Sequence, residues 1–197
     1  MARPREFDEA TVLEAAMNCF WARGFEQTSV RDLAERMGIT GASLYNAFGD
    51  KRSLYRQAFI HYLAQTVRER VARLEKLPSA LAIRTFFDEI IERSVNDEQH
   101  RGCMLVNAAL ELAPYHPEFQ KLVVEEMIFI EAFFRRCLEA GQKDGSIADT
   151  RPADELAKLL LSVLLGIRVL ARTRPQRKVL EGAAKGVLAL LEKPPRF

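Results

Sequence analysis

The 197-residue chain has little cysteine, and what it has does not pair. Cys19, Cys103 and Cys137 are odd in number and widely separated, which excludes a disulfide framework and fits a reducing cytosol. His61, His100 and His116 make no ligand spacing with each other or with cysteine, so no metal and no cofactor are expected. No Gly-rich phosphate loop or nucleophile elbow is present, which removes the usual sequence support for an enzyme. Long apolar runs are missing too. The most apolar run, residues 159–167, is bounded by Lys158 and Arg168, well short of the ~20 residues a bilayer span requires. Glu6, Asp8 and Glu9 stand where a signal peptide has its apolar core, so the expectation is a cytoplasmic protein. Charge of one sign is scarce: 29 Lys and Arg against 27 Asp and Glu leave a net +2, which neither demands nor excludes nucleic acid. Strand alternation, internal repeats and low-complexity tracts are absent as well.

What is there is hydrophobic residue, 48% of the chain, set at helical spacing. An all-α fold with a substantial core is expected. Asp8 caps a first helix ending near Arg23-Gly24, with Phe7 placed to staple against Val12 and a buried stripe of Val12, Ala15, Ala16, Cys19 and Phe20. Residues 28–54 then read as a helix-turn-helix. Thr28 is the expected N-cap, Val30, Leu33, Ala34 and Met37 share one face, and Gly38 ends the helix. Ile39 plugs the corner, Thr40 caps the next helix, and Leu44 and Phe48 form its inner face. The outward positions Gly41, Ala42, Ser43, Tyr45 and Asn46 are small or hydrogen-bonding, as a helix entering the DNA major groove requires.

The run from about residue 8 to 56, with Thr28, residues 34–38, Leu44-Tyr45-Asn46-Ala47-Phe48-Gly49-Asp50-Lys51 and Leu54, resembles the DNA-binding domain of the TetR family of transcriptional regulators. The resemblance implies an N-terminal three-helix DNA-binding domain (1–50) joined to a C-terminal helical domain for ligand binding and dimerisation (51–197). It also implies a homodimer holding a palindromic double-stranded DNA operator and released by an unknown small-molecule effector. Thr28, Arg31, Thr40, Gly41, Ala42, Ser43, Tyr45, Asn46 and Lys51 are the expected DNA contacts, with Thr28, Tyr45 and Lys51 on phosphates and the others at base edges or their neighbours. Residues 1–56 hold eight basic side chains (Arg3, Arg5, Arg23, Arg31, Arg36, Lys51, Arg52, Arg56) and eight acidic ones, so placement must supply the attraction. Arg3 and Arg5 precede the first helix as a candidate minor-groove arm, with a plain tail as the alternative.

Asp50 caps a helix expected to run from Lys51 to about Leu77, linking the two domains. Further helices are expected at about 79–96, 103–113, 117–140, 153–173 and 176–192, with prolines and glycines between them. The helix near 153–173 is apolar on more than one face. With its successor it is expected to form half of a four-helix dimer interface through Leu160, Leu164, Ile167, Ala183, Val187 and Leu190. Cys103 follows Arg101 and Gly102 at a helix start, where the cation and free amides favour thiolate, and Asn107 and Glu111 continue its stripe. These three form a candidate sensing site, either a pocket wall or a solvent face. Residues 102–107 also resemble a segment of TetR regulators, some of which sense reactive compounds. Alternative readings are a helical interaction module that packs on protein without binding DNA, and a redox or electrophile sensor acting through Cys103.

Overall fold

The computed structural model describes residues 8–193; Arg3, Arg5 and Phe7 lie outside the described residues. All regular structure within them is helical. Three short helices come first: α1 (Glu9–Arg23), α2 (Val30–Met37) and α3 (Gly41–Phe48). Each begins on a side-chain cap that takes an otherwise unpaired amide. Asp8 accepts from Thr11 N, Ser29 from Asp32 N at 3.1 Å, and Thr40 from Ser43 N at 3.1 Å. The cap of α2 is therefore Ser29, not Thr28. Asp32 completes a capping box by accepting from Ser29 N at 3.0 Å, which places the cap one residue later than the expected Thr28. Phe20, Leu33, Leu44 and Phe48 close the core of this unit.

Asp50 caps α4 (Lys51–Leu63), which passes through a π-helical turn (Ala64–Arg68) into α5 (Glu69–Leu74). The long link is thus helical but not uniform. In the π turn, Thr66 Oγ1 donates to Tyr62 O at 2.6 Å and Arg70 donates to Thr66 O at 2.6 Å, so side chains serve the loosened backbone.

The second half contains α6 (Ser79–Val95), α7 (Met104–Glu111), α8 (Pro117–Asp144), α9 (Ala153–Thr173) and α10 (Arg177–Leu188). Here α8 packs on α6 and α9, α9 packs on α10, and α7 lies between α8 and α4. Gly141 does not end a helix; it is buried inside α8, where Ile147 leaves no room for a Cβ. Both halves share one contiguous core. At their junction Phe20, Phe25, Phe59 and Phe119 surround Tyr55, with ring centroids 4.9 to 6.1 Å away.

Four of the six expected dimer residues are spent in this chain's own core. Leu160, Leu164, Ile167 and Val187 are at most 4% exposed, Ala183 is half-buried, and only Leu190 is exposed. Since α9 is apolar on several faces, spacing alone cannot say which face turns inward. Leu159, Gly166 and Val169 of α9 are exposed, as are Gly182 and Gly186 of α10 and Leu190 of the 3-10 turn that follows it (Ala189–Leu191).

Candidate nucleic-acid interface and the buried thiol

Two faces divide α3. Leu44 and Phe48 anchor it inward, while Tyr45 is 52% exposed and Ala42 and Asn46 are exposed. Among the described residues Tyr45, Asn46 and the exposed Arg31 of α2 make no hydrogen bond or ion pair. Gly41 opens the helix, so its backbone lies at the positive end of the helix dipole with no side chain in front of it. Thr40 and Ser43 are engaged with one another at 2.9 Å as well as in the cap. Seven of the nine expected contact residues are thus exposed or half-buried on the surface of the helix-turn-helix.

The other two turn away from it. Thr28 is fully buried, and its hydroxyl donates to Gly24 O at 2.6 Å. Lys51 is half-buried, with Nζ donating to Phe25 O at 3.1 Å and Thr28 O at 3.2 Å and lying 4.2 Å from the Phe25 ring centroid. Its charge is used to hold the loop between α1 and α2. Glu111, expected in a sensing stripe, reaches the same loop from the other half. Its Oε1 accepts from Glu26 N at 2.8 Å, and Oε2 lies so close to Gly24 (φ 85°) that a Cβ there would sit 2.9 Å from it. The loop that sets the position of α2 is therefore pinned by Lys51 of α4 and by Glu111 of α7, and sequence reasoning, which gave Lys51 to phosphate and Glu111 to a sensing stripe, missed both pins.

Cys103, at the N-cap position of α7, is buried beside Tyr62 and Arg168. Tyr62 OH donates to its sulfur at 3.6 Å. Burial pushes the thiol pKa up, but the Arg168 guanidinium, the Val106 amide and the Tyr62 hydroxyl outweigh it, and the net direction is down. Burial and the facing sulfur push the Tyr62 phenol up to about 12, so Tyr62 remains a donor. The predicted direction holds, but the cation differs. Arg101 is occupied by Asp97 at 3.0 Å and Asn18 at 3.1 Å, whereas Arg168 comes from α9, 65 residues further along the sequence. Arg168 donates to Ser94 Oγ at 2.7 Å and to Gly102 O, and its Nε has no acceptor. Gly102 (φ 69°) permits this approach, because a Cβ would meet the Arg172 side chain at 2.5 Å. Asn107 is buried, donating to Arg101 O at 3.3 Å and accepting from Arg172 at 2.9 Å, so it braces this turn and faces no solvent. The space beside the thiol, lined also by Phe86, Ile90 and Leu164, is about 30 Å³, room for roughly one water. Among the described residues no cluster of His, Cys, Asp and Glu has the arrangement of a metal site, and no helix is long and apolar enough to cross a membrane.

Comparison with known proteins agrees along nearly the whole chain. Residues 12–58 match the bacterial regulatory proteins of the tetR family, and residues 80–187 match the tetracyclin repressor-like C-terminal domain. The uncharacterized HTH-type transcriptional regulator YezE of Bacillus subtilis is 30% identical over 194 residues, 98% of this chain and 100% of YezE. The HTH-type transcriptional repressor ComR of Escherichia coli is 28% identical over 174 residues, 86% of this chain and 82% of ComR. Among solved structures, a cysteine mutant of the TetR family transcriptional regulator CifR complexed with 26bp double-strand operator DNA superposes with a TM-score of 0.85 at 35% identity, covering 97% of this chain and 100% of that one. A helix-turn-helix with an unpartnered outer face, joined through a helical link to a matching C-terminal bundle, identifies this chain as a member of the TetR family of DNA-binding transcriptional regulators.

Proposed function

We propose that the chain is a dimeric, cytoplasmic repressor that holds a palindromic operator with one α3 from each subunit and lets go when an effector acts on the C-terminal half. The observation that carries this reading is the outer face of α3, where Ala42, Tyr45 and Asn46 are exposed on a helix locked from behind by Leu44 and Phe48. Asn46 has the donor and acceptor pair that suits adenine, Ala42 suits a thymine methyl, and Arg31 suits guanine or a phosphate. Tyr45 and the free amides at Gly41 and Ala42 suit phosphate oxygens. Thr28 and Lys51 act indirectly, by fixing the loop that orients α2.

A dimer supplies the second reading helix, about 34 to 36 Å from the first along the duplex. Its interface is assigned to Leu159, Gly166 and Val169 of α9 with Gly182 and Gly186 of α10 and Leu190 of the turn after it. A Cβ added at any of these three glycines meets nothing within 4 Å, so a partner helix has room to approach closely. The relative named as a repressor and the operator complex of CifR support the reading as a DNA-binding repressor. Selection of bound sites from random DNA is the test. A palindromic consensus is expected, and failure to enrich any sequence at low salt refutes the reading.

A second reading concerns the signal, and the buried Arg168 Nε beside Cys103 favours it. In this reading the thiolate sulfur bonds an electrophilic carbon; the electron pair of the broken C–O bond of an epoxide stays on its oxygen, or that of the C=C π bond of an enone moves through to the carbonyl oxygen, and that oxygen takes a proton. Arg168 then loses its counter-charge, and α7 must shift at its N-terminal end. Its other end carries Glu111, so the shift reaches the loop between α1 and α2. Release from DNA by a small epoxide or enone should vanish in Cys103→Ser; unchanged release removes the thiol from the mechanism.

A further inference from the structure

A cleft of about 200 Å³ lies between α1 and the α6–α7 turn and α9, lined by Trp21, Arg93, Asn96, Asp97, Arg101 and Arg168 among others. Three guanidinium groups thus face one carboxylate, and that carboxylate is already used. Asp97 accepts from Arg101 Nε at 3.0 Å and from Arg101 N at 2.7 Å. Arg93 makes no ion pair or hydrogen bond among the described residues; it lies over the Trp21 ring at 5.0 Å, with Arg101 also over that ring at 4.0 Å. One buried N–H group of the lining residues, Trp21 Nε1, has no acceptor, and Trp21 is only 4% exposed; Arg168 turns its guanidinium to Cys103, Ser94 and Gly102. Buried donors are ordinarily satisfied, so the cleft is rich in donors and cations and short of acceptors.

We propose that this cleft binds a small organic carboxylate. Its two oxygens supply the acceptors that Arg93 and Trp21 lack, and its charge offsets the Arg93 guanidinium, which no carboxylate pairs. The rest of the wall carries Ser94, Asn96 and Gly102 together with the Trp21 ring and Ala171, and these last two give a carbon skeleton an apolar surface that an inorganic ion does not use. A cavity of about 150 Å³ holds benzene, so this one takes a carboxylate of roughly ten heavy atoms or fewer. Because α1 belongs to the DNA-reading half and α6 and α9 to the other, the bound carboxylate ties the two halves together.

Trp21 is the chain's single tryptophan and lines this cleft, so its emission responds to what binds there. The full chain is titrated with benzoate at constant ionic strength, with benzamide as the uncharged isostere and inorganic phosphate as a plain anion, and melting temperature is followed in parallel. Benzoate is expected to give a saturable emission change and a raised melting temperature, and benzamide neither. Arg93→Gln should weaken benzoate binding at least about tenfold by the melting readout. If Arg93→Gln fails to fold, Arg93→Lys, which keeps the charge but loses the planar fork, is expected to weaken it several-fold. Non-saturating quenching, an equal response to benzamide, or indifference to the Arg93 variants overturns the site. Phosphate binding as tightly as benzoate overturns the assignment to an organic carboxylate.

Discussion

Replacing Lys51 with methionine separates two roles for the same side chain. Methionine keeps an aliphatic stem against Phe25 but removes the ammonium that donates to Phe25 O and Thr28 O at 3.1 and 3.2 Å. Hydrogen bonds from a charged group contribute about 1.5 to 3 kcal/mol when buried, and the cation over an aromatic ring adds about 0.5 to 1 kcal/mol. Lys51 is half-buried, so water replaces part of what is lost, and a net cost of about 1 to 2 kcal/mol is expected. For a chain of this size each kcal/mol lowers the melting temperature by about 2 to 4 °C, giving a fall of about 2 to 8 °C. The second assay is operator affinity against salt. A residue that contacts phosphate contributes about one unit to the slope of log affinity against log salt, whereas a loop tether contributes none. Lys51→Met should therefore melt earlier with its salt slope unchanged. An unchanged melting temperature together with a slope smaller by about one would refute the tether and restore the direct phosphate contact.

Four other expectations follow from the same structure. Ser29→Ala should cost about 1 kcal/mol by thermal melting, because Ser29 and not Thr28 caps α2. Its partner Asp32 is held at about 2, below the ordinary 3.8, first by the Ser29 hydroxyl, then by the Ser29 amide and by Arg23. A depressed carboxylate stabilises the fold above its unfolded pKa, so this contribution should be lost as pH falls from about 4 through 2, as followed by circular dichroism. Gly166→Arg should yield a folded monomer by light scattering. No atom crowds its Cβ within the chain, and an interior helical glycine costs about 1 kcal/mol against better helix formers. In alkylation followed against pH by mass spectrometry, Cys103 should titrate below the ordinary thiol value of 9.0 and Cys137, pushed up by burial, near about 11. The opposite order removes the case for a thiolate at Cys103.

Local signals in the sequence specified the helix-turn-helix well. Asp8, Thr40 and Asp50 each cap a helix as expected, and Leu33, Leu44 and Phe48 fall inside because helical spacing and a short turn leave few alternatives. Long-range partners were hidden. Glu111 and Glu26 are 85 residues apart, and nothing near either marks the hydrogen bond that joins the two halves. Arg101 stood next to Cys103 in sequence, yet Asp97 and Asn18 draw it away and Arg168 takes its place. In α9, leucines on adjacent faces are chemically alike, so the division into buried Leu160 and exposed Leu159 is decided by α8 and α10. The π turn at Ala64–Arg68 has no proline or glycine to announce it.

The central claim is that the outer face of α3 reads DNA, and the direct measurement is operator binding by the Tyr45→Ala, Asn46→Ala double variant against the parent chain across a range of salt. Both side chains are exposed and unpartnered, so the melting temperature should stay where it is. The account predicts specific affinity at least about tenfold weaker for the variant, with the parent's own affinity falling steeply as salt rises. A folded double variant that binds the operator as tightly as the parent contradicts it.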